Sequence, residues 1–222
     1  FLSHIKTADA ILHVVRAFVQ DDIVHVEGGV DPERDIKIVE EELVMADIAL
    51  VDKHRVQEKS RARNTNDQEA VILADVLERV WHAMRDEHVM ARDLSLTQEE
   101  KELLRPYDFL TLKPVLFVVN VEAGEDGDHE AWSKRLGRPA IAVAVRDEAE
   151  LFTIDDPHER EEMRVGLGLR ITLDDLIATS RDLLQLVTFY TFGAGVSKAW
   201  SVPCGTTAWQ AAGMIHTDFL ET

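Results

Sequence analysis

The sequence predicts an α/β protein: a parallel sheet interrupted by an inserted antiparallel helical hairpin and followed by a small α+β unit. Three observations predict it. The stretch K-P-V-L-F-V-V-N at residues 113–120 has a proline stop, an apolar run without alternation, and an asparagine before an acidic glycine loop. Such a run reads as a strand buried on both faces, as in parallel sheets. Comparable runs at 10–18 (A-I-L-H-V-V-R-A-F) and 139–145 (P-A-I-A-V-A-V) alternate with helical segments, which is the pattern of a parallel α/β sheet. About ninety residues separate the first two runs, far more than a crossover helix needs. An insertion is therefore expected.

The bulk composition narrows the class. With 222 residues, 45% of them hydrophobic, the chain can bury a core and hold one or two domains. Lys+Arg of 24 against Asp+Glu of 42 gives a net charge of −18, which argues against wrapping DNA or other nucleic acid with the whole molecule and leaves only a local basic patch. The single cysteine, Cys204, excludes an internal disulfide framework and fits a reducing, cytoplasmic setting. No apolar run approaches a membrane span and no signal-peptide pattern opens the chain, so no membrane partner is expected. The chain opens at Phe1 inside what reads as a helix and stops after a strand-like segment, so a piece of a longer protein is expected.

Taken in order, Phe1, Leu2 and Ile5 have helical spacing, and His13 on the first strand reads as a core histidine. Within the insertion, Ile36, Val39, Leu43, Ala46 and Leu50 recur at 3-4 spacing, as do Leu73, Leu77, Val80 and Met84, the period of a coiled-coil seam. N-T-N-D at 64–67 supplies a turn and an N-cap. Two helices of about twenty to thirty residues would project roughly 30–45 Å. Near the tip Lys53, Arg55, Lys59, Arg61 and Arg63 crowd a stretch whose only acid is Glu58. That reads either as a solvated helix end or as a basic finger touching an anionic partner such as RNA. Thr97 and Glu100 form a capping box for a short helix that Pro106 ends. Helices are expected around 129–136, 158–165 and 173–186, and from Val187 the chain turns to short strands, glycine turns and a short helical stretch before M-I-H-T-D-F.

The candidate chemistry is sparse. Asn120 ends a buried strand, the place where open α/β sheets bind ligands, and reads either as a turn residue or as a ligand. The acidic loop 122–130 lacks calcium-loop spacing, so it reads as solvated. His216 and Asp218 alternate on one strand with no third ligand nearby, which favours hydrogen bonding within the small unit over metal binding. Cys204 has no evident base, and no metal site or Ser/His/Asp arrangement presents itself.

Four blocks carry a resemblance: F-L-S-H-I-K-T-A-D-A-I-L-H-V-V-R-A-F at the start, H-V-E-G-G-V-D-P-E-R-D-I at 25–36, L-T-L-K-P-V-L-F-V-V-N-V at 110–121, and F-Y-T-F-G…K-A-W-S-V-P-C-G-T-T-A-W-Q-A-A-G-M-I-H-T-D-F at 189–219. In this order they resemble the Obg-like ATPase (YchF) family of P-loop NTPases. The resemblance implies a partial G domain in two segments, 1–31 and 108–186, a helical coiled-coil insertion at 32–107, and an incomplete β-grasp TGS domain at 187–222. It also implies ATP or GTP hydrolysis with Mg²⁺, ribosome association, and an Asn-x-x-Glu base motif in place of the usual Asn-Lys-x-Asp.

In this chain that motif falls on Asn120-Val121-Glu122-Ala123. The resemblance assigns Asn120 to the purine edge, where an amide both donates and accepts, and Val121 to a backbone contact. Ala144 and Val145 would form the facing base loop. The acid expected at position 123 is alanine; Glu122 or Glu125 substitutes only after a local shift, since a strand-end side chain one residue off points elsewhere. The loop Ala144-Val145-Arg146 lacks the family's hydroxyl, Trp209 stands for a proline, and Lys198 for an arginine. These departures leave ATP versus GTP preference open. The phosphate-binding G-x-x-x-x-G-K-[ST] loop and the Mg²⁺ ligands are expected upstream of Phe1, so no catalytic residue is expected within these 222 residues, and the chain alone is expected not to hydrolyse ATP. The alternative reading is a non-catalytic ribosome- or RNA-binding module with a degenerate nucleotide pocket.

Overall fold

The computed structural model describes residues 2–20, 28–65, 67–125, 127–193 and 195–215. The three apolar runs form β1 (Ile11–Arg16), β2 (Val115–Asn120) and β3 (Ala140–Val143). They pair in parallel in the order β1-β2-β3. Ile11 lies opposite Val115, Arg16 opposite Asn120, and Asn120 opposite Val143. The register thus aligns the carboxyl ends of all three strands at Asn120. Central β2 is buried along its length as far as Val119, as its unbroken apolar run requires.

The expectation of burial on both faces fails for β1. Leu12 and Val14 are 45% and 60% exposed, because β1 is an edge strand of the sheet among the described residues. Its other face packs. Val15, Phe117, Val119 and Ala142 share a core with Trp132 and Leu136 of the helix that follows β2. His13 belongs to this face, its ring 5.4 Å from that of Phe117. Burial, and then the charge of Arg92, lowers its pKa, in keeping with a core histidine.

After α1 (Leu2–Ile5) and β1, the insertion opens with α2 (Pro32–Asn64). Asp31 caps it through Arg34 N–H, and proline occupies the first turn, where no N–H is missed. Its 33 residues make it roughly 50 Å long, beyond the expected range. Asp67 caps the returning helix α3 (Gln68–Asp86). Leu43, Val44 and Val51 meet Leu73, Val76, Leu77, Val80, Trp81 and Met84 in one core. Of the expected seam residues, Val39, Ala46 and Leu50 lie only at its margin, and Ile36 joins the sheet core instead.

The return segment explains the wider seam. It runs through a turn at Ala91–Asp93, α4 (Gln98–Leu104) with its Thr97–Glu100 capping box, and further turns at Arg105–Tyr107 and Leu110–Leu112. Met90, Ala91, Leu104, Phe109 and Leu110 enter the hairpin core. Arg79 pairs with Glu100 at 2.9 Å, and the Tyr107 ring lies 4.5 Å from that of His54. The hairpin is braced well up its length. Beneath it, buried Asp47 accepts from Thr111 N–H and Oγ1, both at 2.7 Å. At its root Glu40 accepts from Arg92 at 2.8 Å and from Arg138 at 2.6 Å.

Beyond β2 come α5 (His129–Leu136), β3, α6 (Val145–Leu151) and α7 (Pro157–Leu167). The chain divides into two compact units, 1–170 and 171–222. In the second, α8 (Leu173–Leu183) precedes an antiparallel ribbon of β4 (Leu186–Gly193) and β5 (Val196–Pro203), then α9 (Ala208–Ile215). Trp200 Nε1–H donates to Thr191 Oγ1 across the ribbon at 3.0 Å, and Lys198 lies 3.8 Å from the centre of the Trp200 ring. Trp209 on α9 is an exposed aromatic, as its place at a helix start predicts. Met214 and Ile215 end α9 rather than open a strand. His216 and Asp218 lie outside the described residues, as do the first residues of the 25–36 block. Among the described residues no helix is long and apolar enough to cross a membrane.

Candidate functional site

A cleft of about 450 Å³ opens at the carboxyl end of the sheet, within the range of small-molecule sites (roughly 300–1,000 Å³). Phe18 and Gln20, just past β1, form one side. Residues 120–123 form a second, and Arg146 and Asp147 of α6 a third.

Asn120 occupies the centre for a local reason. Helix α6 begins behind Ala144, which has no side-chain acceptor for its first turn. Asn120 Oδ1 supplies one, accepting from Val145 N–H at 3.3 Å. The Asn120 amide nitrogen has no partner among the described residues. Val121 sends its side chain into the sheet core and donates its N–H to the Val143 carbonyl at 3.1 Å. Hydrogen bonding from Val121 to a ligand therefore falls to its carbonyl.

The facing loop differs from expectation. Ala144 is fully buried against Leu151 and Leu169 and does not line the cleft. Val145 has its N–H engaged by Asn120. Arg146 and Asp147 supply the wall instead, because α6 starts at Val145 and its first turn carries these side chains to the opening. Ala123 does line the cleft, with a methyl group where an acid was expected.

Sequence reasoning missed Glu148. It is buried and paired with Arg164 of α7, which anchors α6 from behind. The signal was present: Ala144, Glu148 and Leu151 have the spacing of one inward helix face.

The hairpin cations separate into two groups. Arg55 lies 3.9 Å from the centre of the Trp81 ring and pairs with Asp52 at 2.7 Å and Glu78 at 3.2 Å. Lys59 also reaches Glu78, and Arg61 reaches Glu58 and Asp67. Lys53 and Arg63 are exposed, with no ion pair among the described residues. Asp52 and Glu58 of α2, Asp67 at the turn and Glu78 of α3 neutralise the first group, so the stretch read alone overstates the positive charge.

A second cleft, of about 540 Å³, has Val44, Met45, Val89 and Met90 on its floor. Its rim groups Glu40, Asp93 and Arg138 bond one another, leaving mostly apolar walls. Among the described residues, no group of three or more His, Cys, Asp or Glu side chains is placed to hold a metal ion.

This architecture is similar to the solved structure of the Schizosaccharomyces pombe YchF GTPase, with a TM-score of 0.82 and 30% identity, over 99% of this chain and 62% of that one. The fold is thus the α/β fold of that structure over the part matched. In sequence the chain is 38% identical to the ribosome-binding ATPase YchF of Escherichia coli O157:H7, over 99% of this chain and 61% of the relative. It is 34% identical to Obg-like ATPase 1 of Caenorhabditis elegans, over 99% of this chain and 58% of the relative. The family model YchF-GTPase_C, described as a protein of unknown function (DUF933), matches residues 186–222. The chain is a homologue of the YchF and Obg-like ATPase proteins, and spans about three fifths of the length of these relatives.

Proposed function

We propose that the chain is the base-binding part of a cytoplasmic, ribosome-associated protein that binds and hydrolyses ATP or GTP, with the purine held at Asn120 and Val121. One observation carries this reading. At the aligned strand ends, Asn120 Oδ1 accepts from Val145 N–H while the side-chain amide nitrogen remains available in a cleft of nucleoside size. A donor braced in this way is pre-organised for a base edge. The names of the relatives, ribosome-binding ATPase and YchF GTPase, support the rest. In this reading 1–31 and 108–186 form the nucleotide domain, 32–107 the helical insertion and 187–222 the TGS portion. Arg63 at the tip, and Lys53 about three turns below it, face the ribosome.

Phosphate chemistry is not assigned to these residues. The sequence contains no G-x-x-x-x-G-K-[ST] loop. What they do is bind and orient the base, and the 222 residues alone do not turn over ATP.

Fluorescent ATP and GTP analogues titrated with Mg²⁺ against the protein carrying a phosphate-binding portion ahead of Phe1, with phosphate release followed, test the reading. Binding with turnover is expected. Binding of neither nucleotide overturns it in favour of a ribosome- or RNA-binding module with a degenerate pocket, the reading that the methyl of Ala123 favours.

A further inference from the structure

The cleft holds an acid that nothing in the base motif supplies. Asp147 lines it together with Asn120, is half-buried, and has no partner among the described residues. Two other carboxylates share the opening. Glu150 is paired with Arg146 at 3.3 Å and both are largely exposed. Glu122 is exposed on the loop that leaves β2. Asp147 is also the best placed of the three. It lies in the first turn of α6, two residues past Val145, whose N–H is fixed by Asn120. The same helix is anchored from behind by Glu148 and Arg164. Donor and carboxylate are therefore held on one rigid connection.

We infer that Asp147 reads the base in this cleft, accepting an N–H from an amino-bearing purine in the role that Ala123 leaves vacant. The inference rests on the purine reading of the cleft. A carboxylate only accepts, and the Asn120 nitrogen only donates. Together they complement a base edge with an amino donor beside a ring or carbonyl acceptor, which adenine and guanine both present and unsubstituted purine does not. A charged acceptor makes the stronger hydrogen bond. A base lacking the amino group leaves that acceptor unmatched, which is how polar sites discriminate.

The test titrates adenosine, guanosine and purine riboside against the 222-residue chain, following amide NMR shifts. It uses the wild type, Asp147→Ala, the isosteric Asp147→Asn, and Asn120→Ala. The Asp147→Ala change is expected to weaken adenosine and guanosine binding about tenfold, the size of one good base contact, and Asp147→Asn to weaken it several-fold. Purine riboside binding is not weakened by Asp147→Ala, which removes the acceptor that this base leaves unmatched. If nucleosides bind and Asn120→Ala weakens them while both Asp147 variants match the wild type, the inference is overturned and the purine cleft stands. If the wild-type chain binds no nucleoside, both fall.

Discussion

Asn120 Oδ1 and the backbone N–H of Val145 lie 3.3 Å apart, so one side chain at a strand end caps the first turn of the helix beyond the next strand. Replacing Asn120 by alanine leaves that N–H without its acceptor and is expected to cost about 1 kcal/mol. Asn120→Asp keeps an oxygen in place and is expected to retain thermal stability while exchanging the amide donor for a second acceptor. Thermal unfolding of the three proteins separates the effects. Equal destabilisation by both substitutions would show that the Val145 bond is not what Asn120 contributes to the fold.

A second prediction concerns pH. Burial holds the Asp47 carboxyl above its ordinary value of 3.8, against the opposing hydrogen bonds from Thr111. The folded state therefore keeps a proton that the unfolded chain releases. Asp47 favours folding most below the unfolded value, and that contribution declines as pH rises through the raised folded value. Urea unfolding of wild type and Asp47→Asn across acidic to neutral pH should show the wild type losing stability relative to the variant over this window. Parallel profiles would contradict the assigned shift.

The hairpin cations should divide by function. Arg55→Ala removes a guanidinium stacked on Trp81 and paired with Asp52 and Glu78. With only 19% of that side chain exposed, a loss of roughly 1–2 kcal/mol is expected. Charge reversal at Lys53 and Arg63, which pair with nothing described, should leave the melting temperature unchanged and reduce co-sedimentation with ribosomes. An unchanged pellet would remove the tip from the contact surface.

How much of this was legible in the chain follows from the range of each signal. Strand β2 was readable because its apolar run needs no partner to be recognised, and the hairpin because its period is local. The burial of Asp47 was not, since its partner Thr111 lies 64 residues away and a lone acid on a helix reads as solvent-facing. Val44 and Val51 were missed for a related reason. The seam was read for two helices, whereas the 91–112 return segment adds a third surface and widens the buried stripe. At the cleft, Asn120 was legible from its place at the carboxyl end of the strand. Arg146 and Asp147 were not given a role, because the residue at which α6 begins decides which side chains reach the opening.

The root of the long helix is set in the structure at two depths. Ile36 lies in the sheet core, and one turn on, Glu40 holds Arg138, two residues ahead of β3. Braced by the return segment as far as His54, the hairpin moves with its root as one lever. Any small rotation of the sheet beneath Ile36 and Glu40 becomes a sweep at the far end, magnified in proportion to the distance along α2. Arg63, at the end of α2, thus stands where a slight change at the strand ends produces the largest travel.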